Sequence, residues 1–209
     1  MPEQTLIDRP APSRLVLGAA ALVVLLGTLA LVGWALGIDS LTRVVPGLAS
    51  MKPNTALCMV LAGAALAGLG RTTGRRLGVT VVAGMLLAIA LASLVQDLTG
   101  LDLAIDERLF RDPNTHPKLH PGRMAIATAV GFLLVAATVL LTARAARHPT
   151  AGRVARVLGG GVVTIGVLAL LGPSFHVIFL YSWYAFGSVA LPTAVAFVLL
   201  GLGLLVFAR

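Results

Sequence analysis

Cysteine is nearly missing from this chain: Cys58 stands alone, so no intrachain disulfide can form and no cysteine-based metal site exists. Charge is scarce as well. Charged residues make up 11% of the 209, where a soluble domain carries about 25%. No lysine lies inside a long apolar run, so a retinal-type Schiff base has no attachment point. No Asp or Glu falls near the middle of such a run, which removes the usual carriers of proton and cation transport. No nucleophile–base spacing and no Gly-rich phosphate loop stands out, so nothing points to an enzyme.

What remains is apolar. Hydrophobic residues are 58% of the chain, gathered in six runs at about 15–37, 55–70, 77–98, 124–143, 157–172 and 189–208. Asp97, at the end of the third, is the one charge inside them. In lipid the backbone must satisfy its own hydrogen bonds, so such runs are helices. The expectation is an all-α, polytopic membrane bundle of six transmembrane helices. It follows a short tail at 1–14, and the first run is read as a retained helix, too long for a cleaved signal. Small residues at Gly63–Ala67, Ala64–Gly68, Gly159-Gly160-Gly161, Gly201 and Gly203 suit close helix packing.

Cations sit between the runs. Arg9, Arg14, Arg71, Arg75, Arg76, Arg144, Arg147, Arg153, Arg156 and Arg209 fall on one side of a six-span topology, against only Glu3 and Asp8. The other side holds six charges of each sign. The positive-inside rule therefore expects both termini in the cytoplasm. The basic patches are short and close to the bilayer, which suits anionic headgroups rather than nucleic acid. The long connections, at 38–54, 99–123 and 173–188, then face outward.

The chain also resembles itself. Met51-Lys-Pro-Asn-Thr-Ala, Met124-Ala-Ile-Ala-Thr-Ala and Val189-Ala-Leu-Pro-Thr-Ala open the second, fourth and sixth runs, at intervals of 73 and 65 residues. Self-similarity at such spacing means duplicated units. Three helical hairpins are expected, at about 15–70, 77–143 and 157–208. Pro53 and Pro192 suit a helix start. Asn54, Thr55, Thr128 and Thr193 can cap free N–H groups there. If the hairpins share an axis, three positive helix ends meet at one outer surface, where they line a shallow pocket; ordinary capping is the plainer alternative.

Asp97, beside Gln96, reads as a capped or solvated interfacial carboxylate. Trp34, and the cluster Tyr181, Trp183, Tyr184 and Phe186, fit an interfacial aromatic belt, or alternatively a stacking surface for a quinone. His120 and His176 lie on the same expected side, so a bis-histidine haem is a further alternative; His116 and His148 read as polar surface. No cofactor is required by any of these residues.

The strings Trp34-Ala-Leu-Gly-Ile, Val45-Pro-Gly-Leu, Met51-Lys-Pro-Asn-Thr-Ala and Leu101-Asp-Leu-Ala-Ile-Asp-Glu-Arg-Leu-Phe-Arg-Asp-Pro113 carry a resemblance. So do Pro121-Gly-Arg-Met124 and Leu180-Tyr-Ser leading into Thr193-Ala. Together, from about residue 15 to 209, the chain resembles the N-terminal six-helix membrane sensor region of bacterial signalling proteins. That region precedes PAS, GAF, histidine kinase or diguanylate cyclase domains. Two blocks depart from the pattern, with Ile126-Ala127 and Leu191-Pro192 in place of Pro-Asn. The resemblance implies a sensory input module of the bacterial inner membrane, in the manner of two-component systems, often dimeric, with a cytoplasmic output domain after residue 209. A standalone relative is the other possibility. In this reading a signal at the outer loops or in the bilayer biases the helix arrangement, and the sixth helix carries the change inward. The residues expected to take part are Asn54, Thr55, Thr128, Thr193, Asp106, Arg108, Arg111, Asp112 and Trp183, although the charges at 106–112 also suit a locally salt-bridged loop. Alternatives are an accessory subunit of a larger membrane complex and a carrier of an apolar cofactor.

Overall fold

The structure is a computed structural model that describes residues 12–43, 49–69, 76–113, 120–144, 149–174 and 189–208. Among them it is all-helical: α1 (Arg14–Leu36), α2 (Asp39–Thr42), α3 (Pro53–Gly68), α4 (Arg76–Thr99), α5 (Ile126–Arg144), α6 (Pro149–Ser174) and α7 (Leu191–Phe207). Four stretches are long and apolar enough to cross a membrane: Arg14–Leu36, Arg76–Thr99, Ile126–Ala143 and Thr150–Leu171. α3 and α7 are apolar but shorter, at 16 and 17 residues, or about 25 Å at 1.5 Å per residue.

Helix ends follow local chemistry. Ser13 caps α1, its Oγ accepting from the Val16 N–H at 3.3 Å. Gly37 ends α1 at φ +69°, a left-handed conformation that costs glycine little. Pro53 and Pro192 sit in the first turns of α3 and α7. The expected side-chain caps of these two helices do not form. Their N-cap residues are Lys52 and Ala190, neither with a side-chain cap hydrogen bond. Proline removes one of the N–H groups a cap would serve, and Asn54 turns to another partner, described below.

α3, α5 and α7 touch one another, and each of the other long helices lies against two of them: α4 on α3 and α5, α6 on α5 and α7, α1 on α3 and α7. The three inner helices are those that open with the repeated motif. Equivalent positions of the repeat lie buried in layers: Met59, Phe132 and Phe197; Ala62, Val135 and Leu200; Leu66, Val139 and Leu204. The bundle is therefore a pseudo-threefold arrangement with an apolar axis. The outer helices expose Leu22, Leu25, Leu77, Val81, Leu91, Val157 and Leu171. An apolar exterior of that extent is a membrane surface rather than a wet one, and with the long helices it marks a membrane protein.

Small residues set the close approaches. A Cβ on Gly63 would lie 2.8 Å from the Ala20 carbonyl oxygen, one on Gly27 2.7 Å from that of Ala56, and one on Gly201 2.8 Å from Val163 N. Gly203 likewise faces Leu66. Two expected packing positions are not used this way: Gly160 faces open space and Ala64 is exposed.

Candidate functional site

The starts of α3 and α5 and the end of α4 meet residues 100–113 and 120–123 at one end of the bundle. Gly100 terminates α4 at φ +73°. Asp102 Oδ1 then accepts from the Ala104 N–H at 2.8 Å, turning the chain back over the helix end. Gln96, in the last turn of α4 and fully buried, reads this turn twice. Its Oε1 accepts from the Leu103 N–H at 2.7 Å and its Nε2 donates to Asp106 Oδ2 at 2.8 Å.

Asp106 is the centre of the cluster. Arg123, just before α5, donates from Nε to the same Oδ2 at 2.8 Å, and its Nη1 lies 3.6 Å from Asp97 Oδ1. One guanidinium thus joins α4, the connection and the approach to α5. Asn54, in the first turn of α3, donates to the Ile105 carbonyl at 3.0 Å. Lys52 pairs with the buried Asp112, whose N–H donates to Glu107 Oε1 at 2.9 Å. Gly122, at φ +68°, lets the chain pass so close to the Asp106 carbonyl that a Cβ there would collide with it. Burying a carboxylate costs several kcal/mol unless it is paired, and Asp106 and Asp112, each 6% exposed, have found distant cations. Asp106 Oδ1 is nevertheless buried with no hydrogen-bond partner among the described residues. Beside it opens a cleft of about 440 Å³, with Asp106, Arg108, Arg111, His120 and Arg123 among its lining residues.

The structure brings together only part of the expected set. Asn54, Asp106 and Asp112 share the cluster, and Arg108 and Arg111 stand exposed on the cleft wall with no ion pair among the described residues. Among the described residues, then, the 106–112 charges form no ion pair with one another; Asp106 reaches Arg123 and Asp112 reaches Lys52, while Glu107 accepts the Asp112 N–H. Thr55, Thr128 and Thr193 are buried in the helix packing, and Thr193 Oγ1 has no hydrogen-bond partner among the described residues. Trp34 has a structural partner: its indole Nε1 donates to the Met51 carbonyl at 2.8 Å, pinning the end of α1 to the approach to α3. Trp183, with Tyr181, Tyr184, Phe186, His116, His148 and His176, lies outside the described residues. Lys52 and Arg123 were not named as site residues from the sequence, although both lie in the motifs Met51-Lys-Pro-Asn-Thr-Ala and Pro121-Gly-Arg-Met124; Gln96 was noted only beside Asp97 at a helix end. No group of three His, Cys, Asp or Glu able to hold a metal occurs among the described residues.

Comparison with protein-family models, with curated proteins and with solved structures found no match to this chain.

Proposed function

We propose that this chain is the membrane-embedded input module of a signalling protein, taking a signal at the Asp106 cluster and delivering it at the far end of α7. In this reading α1 and α3 to α7 all span the bilayer, both termini are cytoplasmic, and the cluster faces outward. α3 and α7 are shorter, and the other helices cover most of their surface, so their length need not match the full hydrocarbon thickness. The positive-inside count and the resemblance of the sequence support the orientation and the role.

The observation that carries the reading is the position of Arg123. It ties the end of α4 to the connection and to α5, directly at the end of the α3–α5–α7 trio. A ligand that favours one state of this ion cluster favours one arrangement of the trio, and a signal shifts an equilibrium only by such a difference in affinity. Packed cores switch between discrete arrangements rather than deforming smoothly.

Spin labels placed by Ala64→Cys and Val206→Cys in a Cys58→Ala background test this. Both positions are exposed, near the far ends of α3 and α7. In lipid nanodiscs without added ligand, Asp106→Asn and Arg123→Lys are expected to shift the distance distribution between the labels. An unchanged distribution in variants that still fold would overturn the proposal.

A further inference from the structure

The cleft is lined by three arginines, Arg108, Arg111 and Arg123, and by three carboxylates, Asp102, Asp106 and Glu107. Its formal charges cancel, yet they are not all used. Arg123 is committed to Asp106 and Asp97. Arg108 and Arg111 have no ion pair among the described residues. Asp106 offers Oδ2 to Gln96 and Arg123, while its buried Oδ1 has no partner among the described residues. A buried acceptor without a donor is rare enough in native proteins to demand a reason.

The chemistry narrows the ligand. Six charged walls exclude an apolar molecule. A simple anion would suit Arg108 and Arg111 but would set like charge against Asp106. A bare metal ion would face three arginines, and no three-donor metal group occurs among the described residues. A molecule with an ammonium group and an anionic group a few atoms apart answers both demands, and a cleft of about 440 Å³ is of small-molecule size. We propose that the cleft binds a small zwitterion. Its ammonium pairs with the Asp106 carboxylate, a small turn of which brings the covered Oδ1 to the cleft, and its carboxylate or phosphate is held by Arg108 and Arg111. This rests on the input-module reading and names the ligand class of that site. Two sources share this chemistry: a free amino acid, and the ethanolamine phosphate headgroup of a lipid.

The test places the chain in phosphatidylglycerol nanodiscs and titrates it by calorimetry with single L-amino acids and with phosphoethanolamine. Saturable binding is expected, weakened at least about tenfold by Arg111→Ala through loss of one charge-assisted contact. Arg111 is exposed, so this variant leaves the buried network intact; Asp106→Asn serves as the second variant. Ethylamine and acetate, each with half of the pattern, should bind more weakly. A second arm uses phosphatidylethanolamine nanodiscs. If the headgroup is the source, unfolding temperature rises in this lipid for the wild type but not for Arg111→Ala, and soluble phosphoethanolamine no longer binds. If a free amino acid is the source, its binding is equal in both lipids. Either outcome supports the site. No saturable zwitterion binding together with no lipid-dependent rise would overturn it, as would binding that neither variant changes. The spin-label distances are measured without ligand, so failure of one proposal is distinguishable from failure of the other.

Discussion

Phe132 and Phe197 meet edge to face, with ring centroids 5.0 Å apart and ring planes at 64°. They occupy the same place in two copies of one repeat, each eight residues into its block. Met59 is the third copy, and all three are fully buried. Gly131, one residue before Phe132, makes the room: a Cβ there would lie 2.5 Å from Phe197 Cζ. The repeated sequence motif and the inner helical trio are therefore one feature, seen first as text and then as packing.

The aromatic pair should be energetically coupled. A double-mutant cycle of Phe132→Leu and Phe197→Leu, measured by unfolding in mixed micelles titrated with SDS, should give a coupling of about 0.5–1.5 kcal/mol. Strict additivity would show that the two rings do not support each other.

Two glycines of α6 should behave oppositely. A side chain on Gly166 would strike the α7 backbone, with Val198 N at 2.8 Å and the Ala194 carbonyl oxygen at 2.9 Å, whereas Gly160 faces open space. Gly166→Val should cost about 2 kcal/mol through overpacking, and Gly160→Val should stay within about 0.5 kcal/mol. The same unfolding assay reads both, and equal effects would contradict the α6–α7 contact described here.

Arg123 should be the most sensitive polar residue. Arg123→Ala leaves Asp106 and Asp97 without their shared cation, and breaking such a pair from one side costs about 3–5 kcal/mol. Arg123→Lys should recover only part of this, because one ammonium cannot reproduce the fork of a guanidinium that meets two carboxylates. Full recovery by lysine would mean that charge alone matters at this position.

The helical class and the apolar runs were legible because lipid allows a spanning run little but a helix. Boundaries were less so. α6 begins at Pro149, before the apolar run at 157, because Arg153 and Arg156 remain exposed on a helix that projects past its apolar part. The polar cluster was legible only in pieces. Asp106 and Asp112 could be picked out as charges in an apolar chain. Their partners Lys52 and Arg123 lie 60 and 17 residues away respectively, and nothing in local periodicity links them. α2 escaped notice because a single turn, Asp39–Thr42, has no period to read. The capping roles given to Asn54, Thr55 and Thr193 failed because α3 and α7 start on Lys52 and Ala190 with proline in the first turn, and the side chains behind it are buried.

The proposed topology puts the Asp106 cluster and the start of α6 on opposite faces of the membrane, so that a signal must cross it. Leu101→Cys, beside the cluster, and Thr150→Cys, at the start of α6, are both exposed positions. Each is placed in a Cys58→Ala background and labelled in intact cells with a maleimide that cannot cross membranes. The account predicts labelling at 101 from outside, and labelling at 150 only after permeabilisation. Labelling of Thr150→Cys in intact cells, or protection of Leu101→Cys there, would contradict it.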